Sequence, residues 1–226
     1  MKDSYEVFFK KFVKKEDFFK FGLEEIIYID SKKAEIKWNE LKKSIKNNQK
    51  VFIRGYGRNS SGSELVLNFY KKVFQNKNIV IDKTNNLEPT KVLNECTEYR
   101  KNIKKDSDTF KKIQNYQVSH IFGKTKNPFL FTAPWNIVYI PKMLDPFTGH
   151  ESKGENTSEF RKLFHKKSYT KFKNLIEDYN SVLDSYNIES ELNDYISILS
   201  RKNEIAPKKL EQFRKDMATE FEKIKP

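Results

Sequence analysis

Three histidines occur in the chain, and two of them flank an asparagine in one unusual stretch. His120 lies in Ser119-His120-Ile121-Phe122-Gly123-Lys124-Thr125-Lys126-Asn127-Pro128, Asn136 in Ala133-Pro134-Trp135-Asn136-Ile137-Val138, and His150 in Thr148-Gly149-His150-Glu151. An imidazole titrates near neutrality, so one histidine can take a proton from water while a second, kept neutral, binds a divalent metal. In a basic chain this pair points to metal-assisted hydrolysis of a phosphodiester. The third histidine, His165, sits between Phe164 and Lys166 in a helical pattern and reads as structural.

Such residues act only if local elements hold them. Val118, Ile121 and Phe122 carry β propensity and predict a strand over 115–122, with His120 near its end. A Gly-Lys-Thr-Lys-Asn-Pro loop follows. Trp135 to Ile140, bounded by Pro134 and Pro141, reads as a second strand with Asn136 at its start. Asp145-Pro146-Phe147-Thr148-Gly149 reads as a turn, and the chain beyond His150 becomes helical. The expected order is strand, loop, strand, helix.

His120, Asn136 and His150 in this order resemble the HNH, or ββα-metal, nuclease motif. The resemblance implies that His120 is the base that deprotonates water, that Asn136 pins the loop by hydrogen bonds, and that His150 binds one divalent metal. Asn136-Ile137-Val138-Tyr139-Ile140-Pro141 is similar to the Asn-Leu-Val strand found in that family. The family often carries a metal-binding Asp before its first His, and here Ser119 stands there. The interval from Asn136 to His150 is longer than usual, and zinc-binding cysteines are absent. A carboxylate elsewhere must then complete the metal shell, with Asp145 and Glu151 as the candidates. The resemblance covers roughly residues 115–165. It implies Mg²⁺, with Mn²⁺ as the alternative, double-stranded DNA as substrate, and within the family a type II restriction endonuclease. A homodimer is the natural form on a palindromic target.

A second candidate segment is Arg54-Gly55-Tyr56-Gly57-Arg58-Asn59-Ser60-Ser61-Gly62-Ser63, between an expected strand and an expected helix. Backbone N–H groups and two arginines there can meet phosphates or guanine edges. Neither a Walker A sequence nor a complete dinucleotide fingerprint is present. Lys124 and Lys126, beside His120, are candidates for gripping the scissile strand.

Composition agrees with a polyanionic partner. The net charge is +13 over 226 residues, with mean hydropathy −0.80. Part of the lysine excess reflects a Lys/Asn/Ile-rich composition. No stretch approaches the ~20 apolar residues that span a bilayer, so a soluble, cytoplasmic protein is expected, with no membrane partner. Cys96, the one cysteine, excludes an internal disulfide and reads as a buried small residue.

The elements expected elsewhere set the architecture. Aromatics among lysines over residues 4–21 predict an amphipathic helix or helical pair ending at Gly22. Ile26–Ile29 and Ala34–Trp38 read as short strands around a turn, followed by a helix from Asn39. Strands at 51–56 and 79–82 alternate with helices at 64–74 and from Pro89, and helices fill the chain after Ser158. The expected class is α+β: a ββα-metal core flanked by a small α/β amino-terminal portion, residues 1–105, and carboxy-terminal helices, with the core and its extension over 106–226. The competing readings are a non-enzymatic nucleic-acid-binding protein and an RNA-directed nuclease with the same motif.

Overall fold

The computed structural model describes residues 2–55, 61–101, 103, 108–149, 152–203 and 205–226. Among these the fold is of the α+β class. Helices α1 (Ser4–Lys11), α2 (Lys15–Glu24) and α3 (Ser31–Lys46) lead to β1 (Val51–Ile53), α4 (Ser61–Val73), β2 (Ile79–Ile81) and α5 (Leu87–Cys96). Short strands β3 (Tyr99–Arg100) and β4 (Lys111–Lys112) precede β5 (Tyr116–His120) and β6 (Ile137–Pro141). A 3₁₀ helix (Lys142–Thr148) then leads to α6 (Glu155–Asp184), α7 (Ile188–Lys202) and α8 (Pro207–Glu220). The described strands form three two-stranded sheets: β1 with β2 and β3 with β4 are parallel, and β5 with β6 is antiparallel.

Strand β6 organises the interior. Successive side chains of a strand point to opposite faces, and every residue of β6 is buried. Ile137 and Tyr139 enter one apolar cluster, with Trp38, Phe129, Trp135 and Tyr179, whereas Val138 and Ile140 enter a second, with Phe19, Leu144, Phe147, Phe160 and Phe164. Helix α6 serves both clusters from one stripe: Phe160 and Phe164 face the second, and Phe172, Ile176, Tyr179 and Leu183 face the first. The larger cluster draws on both sides of residue 105, where Trp38 meets Trp135 edge to face at 5.6 Å between ring centroids.

Three sequence expectations need correction. Ala34–Trp38 is helical, because Asp30 is not a turn residue but the N-cap of α3, its carboxylate accepting from the N–H groups of Lys32 and Lys33. Ala34, Trp38 and Ile45 are then buried on one helical face. Gly22 does not end α2. The helix runs to Glu24, and Gly22 is where Leu144 and Phe160 approach its backbone. The strand expected at Ile26–Ile29 reduces to a single bridge, in which Ile27 and Tyr139 exchange backbone hydrogen bonds of 2.9 and 3.1 Å along the open edge of β6.

Candidate active site

His120 is the last residue of β5, paired in register with Ile137. It is buried, 5% exposed, and its ring stacks on Phe131 at an interplanar angle of 14°. Its Nε2 lies 2.9 Å from the Phe131 carbonyl oxygen. A carbonyl can only accept, so the proton of this bond sits on Nε2, and in the neutral imidazole the basic lone pair is on Nδ1.

The loop that supplies this carbonyl, residues 121–135, is closed by Asn136. Its Oδ1 accepts from the Phe122 N–H at 2.9 Å, and its Nδ2 donates to the carbonyls of Gly123 at 3.2 Å and Leu130 at 2.9 Å. Its backbone carbonyl also accepts from Ile121 N–H at 2.8 Å. One fully buried side chain thus holds both arms of the loop, and a cavity-facing histidine is fixed through it. Asn127 does a similar task from the other side. Its Nδ2 donates to Tyr179 Oη on α6 and to the Glu220 carbonyl on α8, and its Oδ1 accepts from Phe129 N–H. An Asn-Pro pair signals a turn, but nothing local reveals partners 52 and 93 residues away.

His120 lines an open, polar cavity of about 330 Å³. Ser119 and Gln117 reach it from β5, Asp145 from the 3₁₀ helix, and Arg54 from the end of β1. Arg54 is set against the loop by its backbone N–H, which donates to the Thr125 carbonyl at 2.9 Å. Asn86 and Thr90 line the cavity from the start of α5, and Lys101 from the residue after β3. Burial pushes the Lys101 ammonium below its usual range, and the charge of Lys142 pushes it further in the same direction.

Of the residues singled out in the sequence, the structure therefore brings His120, Asp145 and Arg54 to one cavity, with Asn136 behind it. Lys124 and Lys126 are placed elsewhere. Lys124 Nζ donates to the Thr219 carbonyl and pairs with Glu222 at 3.1 Å, while Lys126 pairs with Glu220 at 3.6 Å and donates its backbone N–H to the same carboxylate. Neither lines the cavity. These lysines lock the loop to the end of α8. Arg58, His150 and Glu151 lie outside the described residues.

The cavity suits a polar ligand better than an apolar one. Ser119 Oγ and Asn86 Oδ1 are buried oxygens without a hydrogen-bond partner among the described residues, and leaving such a group unpaired costs about 1–3 kcal/mol. Asn86 is the N-cap residue of α5, yet its side chain makes no capping bond. Asp82 has taken that role, accepting from the N–H groups of Thr84, Leu87 and Glu88 at 2.8, 3.3 and 2.7 Å. Among the described residues no group of three His, Cys, Asp or Glu side chains converges. The described lining holds one carboxylate, Asp145, and one imidazole, His120, beside the two cations Arg54 and Lys101.

Comparison with known proteins returns one family model, described as "Uncharacterised protein PM1201", which matches residues 29–226. A relative of that description from Pasteurella multocida (strain Pm70) is 45% identical over 208 residues, 90% of each chain. No solved structure matches. The matched span holds every residue that lines the cavity and begins after α2. On the extent of both matches, the chain belongs to the PM1201 family.

Proposed function

We propose that this protein is a metal-dependent endonuclease of the HNH type that hydrolyses phosphodiester bonds of double-stranded DNA, acting as a type II restriction enzyme. The observation that carries the reading is the convergence of His120, Asp145 and Arg54, from three distant segments, on one polar cavity whose histidine is held by an Asn136-clamped loop. The antiparallel pair β5–β6, followed by a 3₁₀ helix and then α6, supports this reading as two strands that precede a helix.

In this reading His120 is the general base. The Phe131 carbonyl holds the proton on Nε2 and directs Nδ1 to accept one from water. Asn136 fixes the loop, so that the imidazole keeps its orientation through the reaction. Arg54 neutralises substrate phosphate with a planar, permanently charged donor set. Asp145 would hold a divalent ion, with His150 and Glu151 as the further ligands that the motif implies. A bound Mg²⁺ or Mn²⁺ supplies charge stabilisation for the phosphate and the leaving oxygen. A palindromic target would be met by a homodimer.

The alternative is a non-enzymatic nucleic-acid-binding protein, favoured by the net charge of +13. Incubation with supercoiled plasmid in Mg²⁺, Mn²⁺ or EDTA separates the two. Nicked or linear product that requires the metal is expected. Retardation of DNA in a gel with no product under any metal supports the alternative, and cleavage of RNA in preference to duplex DNA reassigns the substrate.

A further inference from the structure

The cavity holds a cation that the proposed hydrolysis does not use. Lys101 is half-buried at its wall, and among the described residues it has no ion pair. Most partly buried lysines here are treated differently: Lys37 has Glu40 and Glu95, Lys42 has Asp178, and Lys126 has Glu220. Lys101 instead feels Lys142, a like charge. A partly desolvated ammonium beside a second ammonium is stabilised by an anion, and the chain supplies none from the described residues.

The second observation is Ser119. The residue is 4% exposed, its Oγ has no hydrogen-bond partner among the described residues, and it lines the same cavity. A hydroxyl is free to rotate and donate to an anionic oxygen. The nearby start of α5 does not compete for an anion with its own N–H groups, because Asp82 already accepts from Leu87 and Glu88. At about 330 Å³ the cavity is roughly ten times the ~30 Å³ that one water occupies, room for a phosphate with part of its sugar. Its described lining carries Arg54 and Lys101 against the single carboxylate of Asp145, so the balance is positive.

We propose that Lys101 and Ser119 form a phosphate subsite beside His120, which seats a backbone phosphate of the DNA substrate. The assignment rests on the reading of this cavity as a phosphodiester site, but it concerns binding and is measured without turnover. Lys101 donates a charge-assisted hydrogen bond to a phosphate oxygen, Ser119 donates a second, and Arg54 lines the same cavity.

The test is fluorescence anisotropy of a labelled duplex oligonucleotide with the full chain in EDTA, across a salt series. Lys101→Gln is expected to weaken binding about tenfold, the worth of one charge-assisted bond, and to reduce the slope of log affinity against log salt by about 0.9. Lys101→Arg retains the slope, and Lys215→Gln, on an exposed face of α8, changes neither quantity. Circular dichroism identifies any variant that fails to fold, and Ser119→Ala, which removes only an unpaired hydroxyl, then serves as the second probe with weaker binding expected. Competition by inorganic phosphate distinguishes the source of the ligand. DNA binding that does not depend on Lys101 or Ser119, or the absence of DNA binding, overturns the subsite. So does a dependence seen with inorganic phosphate alone. Metal-dependent cleavage by a chain whose DNA binding ignores Lys101 leaves the nuclease reading intact. A Lys101-dependent affinity without cleavage in any metal leaves the subsite and removes the nuclease.

Discussion

At the scale of single residues, Asn136 and Glu220 carry consequences that differ in kind. Asn136 makes three side-chain hydrogen bonds in a fully buried position. Asn136→Ala strands one N–H and two carbonyls, and a loss of ~3 kcal/mol is expected in urea unfolding. DNA cleavage should fall with it, because the same loop presents Phe131 to His120. Glu220 is governed by burial. Desolvation pushes its carboxyl above the ordinary value of 4.5 although Lys126 and Lys124 oppose the shift. A carboxyl that binds its proton more tightly when folded contributes stability that is fully present below that value, and this stability is lost as pH rises through the folded pKa. Glu220→Gln has no proton to lose, so relative to wild type it should gain stability from pH 4.5 to neutrality, read from denaturant midpoints across that interval. A constant difference between the two proteins would contradict the assignment. How much of the site was legible divides along the same lines. His120, Asn136 and Asp145 stand out by type and spacing in one segment. Lys101, Asn86 and the cavity-facing role of Ser119 depend on partners that only tertiary packing supplies, and Asn86 in particular is released only because Asp82 does the capping.

At the scale of elements, the 3₁₀ helix that bears Asp145 is set by a contact with α2. A methyl group at Gly22 would lie 2.6 Å from Leu144 Cδ1 and 2.7 Å from Leu144 Cγ, with Phe160 at 3.2 Å. Alanine is the better helix former by about 1 kcal/mol, but overpacking a buried position costs about 1–3 kcal/mol, and the clash is with a fully buried side chain. Gly22→Ala is therefore expected to lower the melting temperature and to displace Asp145, the residue after Leu144, with a loss of metal-dependent cleavage. A variant more stable than wild type would show that the helices slide apart freely. The elements that sequence patterning located well are those with a period of their own, such as α4 and the carboxy-terminal helices. Ala34–Trp38 misled because β-compatible residues sit inside a helical stripe that begins earlier, at a cap that resembles a turn. The β3–β4 pairing lies within a basic run whose composition signals only exposure.

At the scale of the whole molecule, the apolar cluster that includes Trp38, Trp135 and Tyr179 joins segments from α3 to the end of the chain, and β6 links it to the second cluster. The cavity sits where the end of β1, the start of α5, β5 and the 3₁₀ helix meet, so its residues come from a span of more than ninety positions, from Arg54 to Asp145. A net charge of +13 attracts polyanions in general, but it does not choose between binding and hydrolysis. That choice rests on His120. The decisive measurement is the single-turnover rate of plasmid cleavage in Mg²⁺ for wild type and for His120→Ala, with the fold of each verified. Loss of a general base lowers such rates by about 10²–10⁴-fold, and a fall in that range, with DNA binding retained, is the result expected. Equal rates for the two proteins, or no cleavage by either in any divalent metal, would contradict the assignment of His120 as the base of a nuclease.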